Sequence, residues 1–214
     1  MPVDVLKQLV AARAARTPVA YVVNTATWER ALDQSGHTAR FASDRSGVEE
    51  DDQTFVAIHN PPLRLAIVGA VHIAQALVPM ARIAGFDPVV IDPRGAFGSA
   101  ARFPGEKLLD DWPDEALAEF DLDSRSALVL LTHDPKLDDP ALHVALKSDA
   151  FYIGALGSTR THAKRVDRLA EAGFSADQIA RIRGPIGLDI GAASPAEIAV
   201  SILGQMVQSL RKPA

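Results

Sequence analysis

The segment Leu63–Asp92 reads LRLAIVGAVHIAQALVPMARIAGFDPVVID and carries the clearest fold signal in the chain. Its opening run, Leu65–Val68, is short and wholly apolar, which is typical of a strand buried on both faces. His72–Ala84 then has apolar residues at helical spacing, and Pro88–Ile91 is a second apolar strand. The segment therefore predicts a strand–helix–strand unit of about 30 residues with parallel strands and a right-handed crossover.

The turn between the first strand and the helix stands where a dinucleotide-binding glycine fingerprint would stand. Gly69 supplies the first glycine, which makes the turn, and Ala74 is small enough for the third position, where helix and strand pack. Val71 occupies the second position, where a branched side chain obstructs the approach of a pyrophosphate. Asp92 lies at the distance expected of a ribose-binding acid. We therefore expect a Rossmann-type unit that does not bind NAD(P) tightly.

Strands and helices continue to alternate after this segment. Further strands are predicted at Glu106–Leu109, Ala127–Thr132 and Phe151–Ile153. Helices are predicted at 114–120, 139–147, 159–172, 176–182 and 195–210. The alternation predicts an α/β fold for residues 61–214, with a doubly wound, mostly parallel, Rossmann-like sheet covered by helices on both faces.

Residues 1–60 do not continue this pattern and predict a small N-terminal appendage. Val3–Arg16 has the spacing of an amphipathic helix, and Val19–Val23 and Thr54–Ile58 are strand-like. The stretch Asp33–Asp52 is polar and glycine-containing, so a long loop or a weak hairpin is expected there.

Composition excludes several classes of function. The net charge of −5 offers no broad basic surface to nucleic acid or to an anionic membrane. The chain has no cysteine, which excludes disulfides, iron–sulfur clusters and thiolate zinc sites, and no HExxH-type spacing indicates a histidine metal site. No apolar run approaches the roughly 20 residues of a membrane span, and no signal-type segment opens the sequence. We expect a cytoplasmic protein without nucleic-acid or membrane partners.

Polar and glycine residues follow four of the predicted strands, at Gly69–His72, Asp92–Arg102, Thr132–Asp134 and Gly154–Ser158. Because the carboxyl ends of parallel strands open on one edge of a sheet, we expect these turns to form one ligand crevice.

The Gly154–Ser158 turn is the strongest candidate for contact with an anion. Gly154 and Gly157 let the backbone come close to a ligand, Ser158 can cap the following helix, and Arg160 and Arg165 add positive charge nearby. A phosphate or a pterin-type ligand fits this turn. A tight turn required for close packing is the alternative.

The other turns carry side chains with two interpretations each. Arg94 and Arg102 are natural anion partners or solvated surface arginines. His133 and Asp134 suit acid–base chemistry or ligand contact, or they form a capped turn with a hydrogen-bonded histidine. His72 lies in the first turn of a helix, whose dipole disfavours its charged form, so it either donates a hydrogen bond or packs.

Several uncommon strings follow one another through the second half of the chain. They are YIGALGS at 152–158, RTH at 160–162, PIGLDIGA at 185–192 and PAEIAVSI at 195–202. With these strings, over about Thr54–Leu210, the chain resembles the C-terminal, Rossmann-like domain of the xanthine dehydrogenase accessory proteins, the XdhC/CoxI family. The turns at Gly69, Asp92, Arg102 and Thr132–Asp134 resemble the same family in their order.

The resemblance implies an accessory protein that binds the molybdenum cofactor, molybdopterin, as cargo. Such a protein protects the cofactor while a terminal sulfur is installed and helps to insert it into a molybdenum hydroxylase such as xanthine dehydrogenase. The resemblance also implies a homodimeric carrier rather than a catalyst, with Gly187 and Asp189 of the matching string near the cofactor. Val71 and a shortened Pro18–Phe55 module without cysteine depart from the family pattern.

Two other functions remain open at this point. A nicotinamide- or flavin-linked oxidoreductase rests on the Rossmann pattern alone, and a fold does not determine a function. A non-catalytic dimeric paralogue that acts as a partner is the third hypothesis. The C-terminal helix supports dimerisation because its apolar stripe is wider than one contact face needs. That stripe consists of Ile198, Ala199, Ile202, Leu203, Met206, Val207 and Leu210.

Overall fold

The computed structural model describes residues 2–95 and 98–212, and the chain folds as two units, Met1–Pro61 and Pro62–Ala214. Two positions of the predicted Asp92–Arg102 turn, 96 and 97, lie outside the described residues.

The first unit is an antiparallel sheet with a helix packed on it. Its elements are α1 (Val3–Ala14), β1 (Val19–Asn24), β2 (Arg30–Asp33), α2 (Thr38–Ser43), β3 (Gly47–Val48) and β4 (Thr54–His59). The strand order is β2-β1-β4-β3. Leu9 and Ala12 of α1 form a small core with Val19 and Leu32.

The prediction of a loop or weak hairpin at Asp33–Asp52 is wrong, because α2 and β3 lie inside this stretch. Arg40 in α2 donates from Nε to Glu49 Oε1 at 2.8 Å and from Nη2 to the carbonyl of Val48 at 2.6 Å. These polar contacts, rather than an apolar pattern, join α2 to β3.

The second unit alternates strands and helices. Its elements are β5 (Leu63–Val68), α3 (His72–Ile83), β6 (Phe86–Ile91), β7 (Lys107–Leu109), α4 (Pro113–Phe120), β8 (Ser126–Leu130), α5 (Pro135–Ala145), β9 (Tyr152–Ala155), α6 (Thr159–Glu171), α7 (Ala176–Ala180), β10 (Ile182–Arg183) and α8 (Pro195–Arg211).

The six strands of this unit form one parallel sheet in the order β10-β9-β8-β5-β6-β7. The chain adds β6 and β7 on one side of β5 and then returns to add β8, β9 and β10 on the other side. Doubly wound dinucleotide-binding folds show the same reversal of strand order, which here falls between β5 and β8. The predicted α/β class and parallel sheet are therefore confirmed. β10 was not predicted because it is only two residues long and is defined by its pairing with β9.

Alternate residues of β5 fill two separate cores, one on each face of the sheet. Leu65 and Ile67 pack with residues of α3 and α8, whereas Ala66 and Val68 pack with residues of α4, α5 and α6. The central strand is therefore buried on both sides, which explains its unbroken apolar sequence.

Candidate functional site

The strand order reverses between β5 and β8, and a crevice is expected beyond the carboxyl ends of these strands. The turn after β5, Asp92 after β6 and Thr132–Asp134 after β8 all lie at this edge of the sheet. The topology thus brings together three of the four turns that the sequence singled out around one switch point.

Gly69 begins the first of these turns, and both its backbone and its surroundings require glycine. Its φ is +110°, in the left-handed region that side chains rarely adopt. A Cβ atom at this position would also lie 2.7 Å from the Cγ2 atom of Thr132. The turn after β5 is therefore packed directly against the end of β8.

Val71 stands at the start of α3, where a nucleotide-binding protein has its second glycine. Its backbone is extended (φ −95°, ψ 176°), and its side chain is partly buried against the core shared with α8. His72 follows as the exposed first residue of α3. The turn keeps the first glycine of the fingerprint, and a branched residue holds the sequence position of the second glycine.

Asp92 holds two turns of the crevice together. The backbone N–H of Ala70 donates to its Oδ2 atom at 2.8 Å, and Arg94 donates from Nε to Oδ1 and from Nη2 to Oδ2, each at 2.9 Å. The N–H of Arg94 adds a further bond to Oδ1 at 3.0 Å. Both oxygens of this buried carboxylate therefore face protein donors rather than a ribose.

The pKa of Asp92 reflects this environment. Burial by itself raises the pKa of a carboxyl, but the hydrogen bonds from the Arg94 side chain and from the N–H groups of Ala70 and Arg94, together with the charge of Arg94, bring it below its usual value. Asp92 is therefore an ionised structural anchor.

The two arginines of the Asp92–Arg102 turn form hydrogen bonds with residues at the edge of the crevice. Arg94 is partly exposed, and the carboxylates of Asp92 and Asp134 raise its pKa even though burial opposes the rise. Arg102 donates from Nη1 to the carbonyl of Ala70 at 2.8 Å and from Nη2 to Gln75 Oε1 at 3.1 Å. Both cations therefore lie beside the turn after β5, and their protein contacts were not evident from the sequence.

The turn after β8 combines a capping residue with an unusual backbone conformation. Asp134 caps α5 by accepting a hydrogen bond from the N–H of Lys136 at 3.0 Å, as the capped-turn alternative predicts. His133 is exposed and has a φ of +50°, which is uncommon for a residue with a side chain. Such conformations cluster at ligand sites, so His133 remains a candidate for ligand contact.

The structure separates the two glycines of the fourth turn. Gly154 lies inside β9, and a Cβ atom there would meet Ile186 Cδ1 at 2.6 Å and the Tyr152 ring at 2.7 Å. The expectation that Gly154 approaches a ligand is replaced by a packing role. The sequence did not reveal this because Ile186 comes from a distant loop.

Gly157 forms the actual turn after β9. Its φ is +138°, and Ser158 caps α6 by accepting a hydrogen bond from the N–H of Thr161 at 3.2 Å. Arg160 is exposed in the first turn of α6. The candidate anion site of this turn therefore consists of Gly157, Ser158 and the N-terminus of α6, with Arg160 beside them.

A cavity of about 490 Å³ lies at the same sheet edge, between the turn after β9, the glycine-rich loop at 184–191 and the start of α8. Gly187, with a φ of +96°, and the exposed Asp189 both line it. Gln205 holds the loop, because its Oε1 atom accepts from the N–H of Gly187 at 2.9 Å and its Nε2 donates to the Gly187 carbonyl at 2.9 Å. The hydroxyl of Tyr152 donates to the same Oε1 atom at 2.6 Å.

The sequence reasoning missed a buried polar network behind these turns. Thr132 Oγ1 donates to Asp138 Oδ1 at 2.5 Å, and Arg165 Nη2 donates to Asp138 Oδ2 at 3.2 Å and to the carbonyl of Leu156 at 2.9 Å. Burial raises the pKa of Asp138 although Thr132 and Arg165 oppose the rise. One signal was available, since Arg165 lies four residues before the buried Leu169 on the inner face of α6.

Among the residues that the structure describes, no group of three or more histidine and carboxylate side chains is arranged to hold a metal ion. Over the same described ranges, no helix is long and apolar enough to cross a membrane.

A family model described as the XdhC Rossmann domain matches residues 65–206, which include every turn of the crevice and the cavity-lining loop. The chain belongs to the XdhC family. The predicted family resemblance is therefore confirmed.

Curated relatives match this XdhC-family chain at moderate identity. The molybdenum cofactor insertion chaperone PaoD of Escherichia coli is 33% identical over 146 residues, which cover 68% of this chain and 40% of PaoD. A protein of Bacillus subtilis, named as a probable xanthine dehydrogenase component, is 32% identical over 170 residues, which cover 76% of this chain and 48% of that protein. The chain thus spans less than half the length of these relatives.

A solved structure extends the likeness to almost the whole chain. The crystal structure of a xanthine dehydrogenase from Bacillus halodurans matches 99% of this chain and 65% of its own, with a TM-score of 0.72 and 29% sequence identity.

Proposed function

We propose that this XdhC-family chain is an accessory protein that binds the molybdenum cofactor and assists its maturation or insertion into a xanthine dehydrogenase-type molybdenum hydroxylase. The observation that carries the proposal is the location of the family match. The matched residues 65–206 contain the switch-point crevice and the cavity beside it, and PaoD, one of the matching relatives, is named a molybdenum cofactor insertion chaperone.

The crevice offers the groups that a phosphorylated pterin requires. Arg94 and Arg160 are cations at the sheet edge, and the Gly157–Ser158 turn leads into the N-terminus of α6, where backbone N–H groups favour an anion. His133 and Asp189 are exposed polar groups on neighbouring turns. In this proposal Arg160 and the α6 turn hold the phosphate, Arg94 is a second cation at the same sheet edge, and the cavity beside Gly187 accommodates the rest of the cargo.

The proposed role is that of a carrier. Binding and release of the cargo require complementary charge and an open crevice, and they do not require a nucleophile or a general base. We further propose that the protein acts as a homodimer in the cytoplasm, that residues 61–214 form the XdhC-type domain, and that residues 1–60 form an N-terminal appendage.

Two measurements test this function. Purified protein is first titrated with isolated molybdenum cofactor under anaerobic conditions, and saturable binding of about one cofactor per chain is expected. The loaded protein is then mixed with cofactor-free xanthine dehydrogenase, and enzyme activity is expected to return faster than with free cofactor at the same concentration. Absence of saturable binding contradicts the carrier role, whereas binding without transfer contradicts only the insertion step.

The second candidate is a nicotinamide- or flavin-linked oxidoreductase. The dinucleotide-type strand order favours it, whereas the protein hydrogen bonds to both oxygens of Asp92 count against it. The same titration with NAD(P) or flavin in place of molybdenum cofactor separates the two proposals.

A further inference from the structure

Asp138 and Arg165 form an ion pair that is fully enclosed by the protein. Each side chain is 1% exposed, and Arg165 Nη2 lies 3.2 Å from Asp138 Oδ2. Asp138 lies in the first turn of α5, whereas Arg165 lies in the second turn of α6. Removing two charges from water is costly, and apolar side chains of similar volume commonly serve stability equally well.

The guanidinium of Arg165 is also incompletely paired. Within the described ranges, its Nε and Nη1 atoms are buried and have no hydrogen-bond partner. An arrangement that served stability alone would satisfy these donors, because each buried unpaired donor carries a desolvation cost. An apolar pair of similar volume would avoid this desolvation cost, so the ion pair is distinguished by the directed contacts that it makes.

The contacts of the pair lead to two separate turns of the candidate site. On one side, Asp138 accepts a hydrogen bond from Thr132, whose methyl group occupies the space that a side chain at Gly69 would fill. On the other side, Arg165 donates to the carbonyl of Leu156, in the turn between β9 and α6. The network thus runs from the turn after β5, past the end of β8, to the turn after β9.

We propose that Thr132, Asp138 and Arg165 are positioning residues that set the spacing between the turn after β5 and the turn after β9. Backbone hydrogen bonds hold the first residue of each turn, since the N–H of Gly69 donates to the carbonyl of Ile91 at 2.9 Å and the N–H of Leu156 donates to the carbonyl of Leu130 at 2.8 Å. The network adds side-chain contacts to these backbone bonds. Two charged groups and a hydroxyl have narrow geometric requirements, so they hold one spacing where apolar contacts would allow several. The ligand part of this inference rests on the proposed function, since these turns line the crevice and the cavity.

The test replaces the ion pair by apolar residues of similar size in the full chain, as Asp138→Leu with Arg165→Met. The matched control is Asp139→Leu with Arg168→Met. That pair joins the same two helices through contacts of 2.6 and 2.8 Å and is partly exposed, and its hydrogen bonds run between the helices rather than to either turn. Amide hydrogen exchange is measured at residues 69–73 and 156–161 without ligand, and affinity for isolated molybdenum cofactor is measured separately.

We expect the Asp138/Arg165 double variant to keep a cooperative melting transition while exchange at both turns accelerates by about tenfold or more. Its affinity for the cofactor is expected to fall, and the Asp139/Arg168 control is expected to change neither quantity at these turns. Unchanged exchange, or acceleration at one turn only, overturns the positioning role. If the parent protein binds no cofactor, the proposed function fails, and the exchange result still decides this inference.

A second variant keeps the test decisive if the double variant does not fold. Thr132→Val retains the shape of the side chain and removes only the hydroxyl that bonds Asp138. We expect Thr132→Val to accelerate exchange at the same two turns. Thr132→Ser keeps the hydroxyl, so exchange at residues 156–161 is expected to stay as slow as in the parent protein. Parent-like exchange in Thr132→Val would overturn the inference.

Discussion

At the scale of single residues, the buried carboxylate of Asp92 accepts four hydrogen bonds, from Ala70 and Arg94. The Asp92→Asn variant keeps the shape of the side chain but replaces one acceptor by a donor that faces Ala70 or Arg94. We expect the free energy of unfolding at pH 7 to fall by roughly 1.5–3 kcal/mol, the range for hydrogen bonds to charged groups. Urea denaturation measures this change.

The matched control for Asp92→Asn is Asp87→Asn, on the strand that Asp92 follows. Asp87 is 68% exposed and pairs with Arg82 at 3.6 Å, and exposed pairs of this kind contribute little. A change within about 0.5 kcal/mol is expected there. Equal effects of the two substitutions would contradict the anchoring role of Asp92.

The lowered pKa of Asp92 also predicts a pH dependence. A carboxyl whose pKa is lower in the folded chain than in the unfolded chain stabilises the fold at pH values above its unfolded-state pKa of about 4. This contribution disappears as the pH falls through the folded-state pKa. The stability difference between parent and Asp92→Asn is therefore expected to be constant above about pH 5 and to shrink on further acidification. A difference that stays constant down to the acid transition would contradict this.

Val71 and Asp92 together predict that the protein does not bind NAD(P) tightly. The Val71 side chain occupies the second glycine position, and both oxygens of Asp92 already accept hydrogen bonds from the protein. We expect calorimetry to detect no micromolar binding of oxidised or reduced nicotinamide nucleotides. Val71→Gly removes only the first obstacle, so it is not expected to create an oxidoreductase, and micromolar binding by the parent would contradict this prediction.

At the scale of elements, substitution of Gly157 does not test whether the turn between β9 and α6 binds a ligand. Gly157 has a φ of +138°, and a Cβ atom there would meet Thr161 Cγ2 at 2.9 Å, so Gly157→Val strains the fold itself. A loss of binding in that variant would not identify a ligand site. The exposed side chain of Arg160, on the first turn of α6, allows a cleaner test.

Arg160→Ala is expected to weaken molybdenum cofactor binding by roughly 1–3 kcal/mol, the range for a charge-assisted hydrogen bond, while the melting temperature stays unchanged. Lys164→Ala removes an exposed cation one turn further along α6 and is the control. Equal, small effects of both substitutions would place the anion-binding site elsewhere, at Arg94 or at His133.

Helix α8 presents apolar residues on more than one face. Ala199, Ile202 and Met206 are buried in the core shared with α3, whereas Val200 and Val207 are 51% and 40% exposed. The exposed pair lies seven residues apart, on the same side of the helix. The exposed stripe formed by Val200 and Val207 is the structural basis for expecting a homodimer, because Ile198, Leu203 and Leu210 of the wider stripe expected from the sequence pack against the protein's own core.

At the scale of the whole molecule, the parent protein is expected to scatter light with twice the chain mass of 22.8 kDa at micromolar concentration. Val200→Glu combined with Val207→Glu places charges on the exposed stripe, so the single-chain mass is expected with little change in melting temperature. The exposed Gln208→Glu is the control and should leave the dimer intact. A parent protein with the mass of one chain would contradict the prediction.

The sequence by itself determined the class of the second unit. The apolar run of β5, the periodicity of α3 and the alternation that follows indicate parallel strands with crossover helices, because these patterns depend only on neighbours along the chain. The capping boxes are local in the same way, since Ser175 pairs with Gln178 and Ser194 with Glu197, three residues further along the chain. The family strings likewise pointed to the XdhC family before any contact was known.

Only the tertiary structure decided how the site residues are used. Arg94 and the turn after β5 occupy both oxygens of Asp92, and Ile186 fills the space beside Gly154. The pairing of Asp138 with Arg165 joins two helices that are separate in the sequence. Burial and hydrogen-bond partners depend on which distant segments the fold brings together, so local spacing identified the residues of the site but not the roles that packing assigns to them.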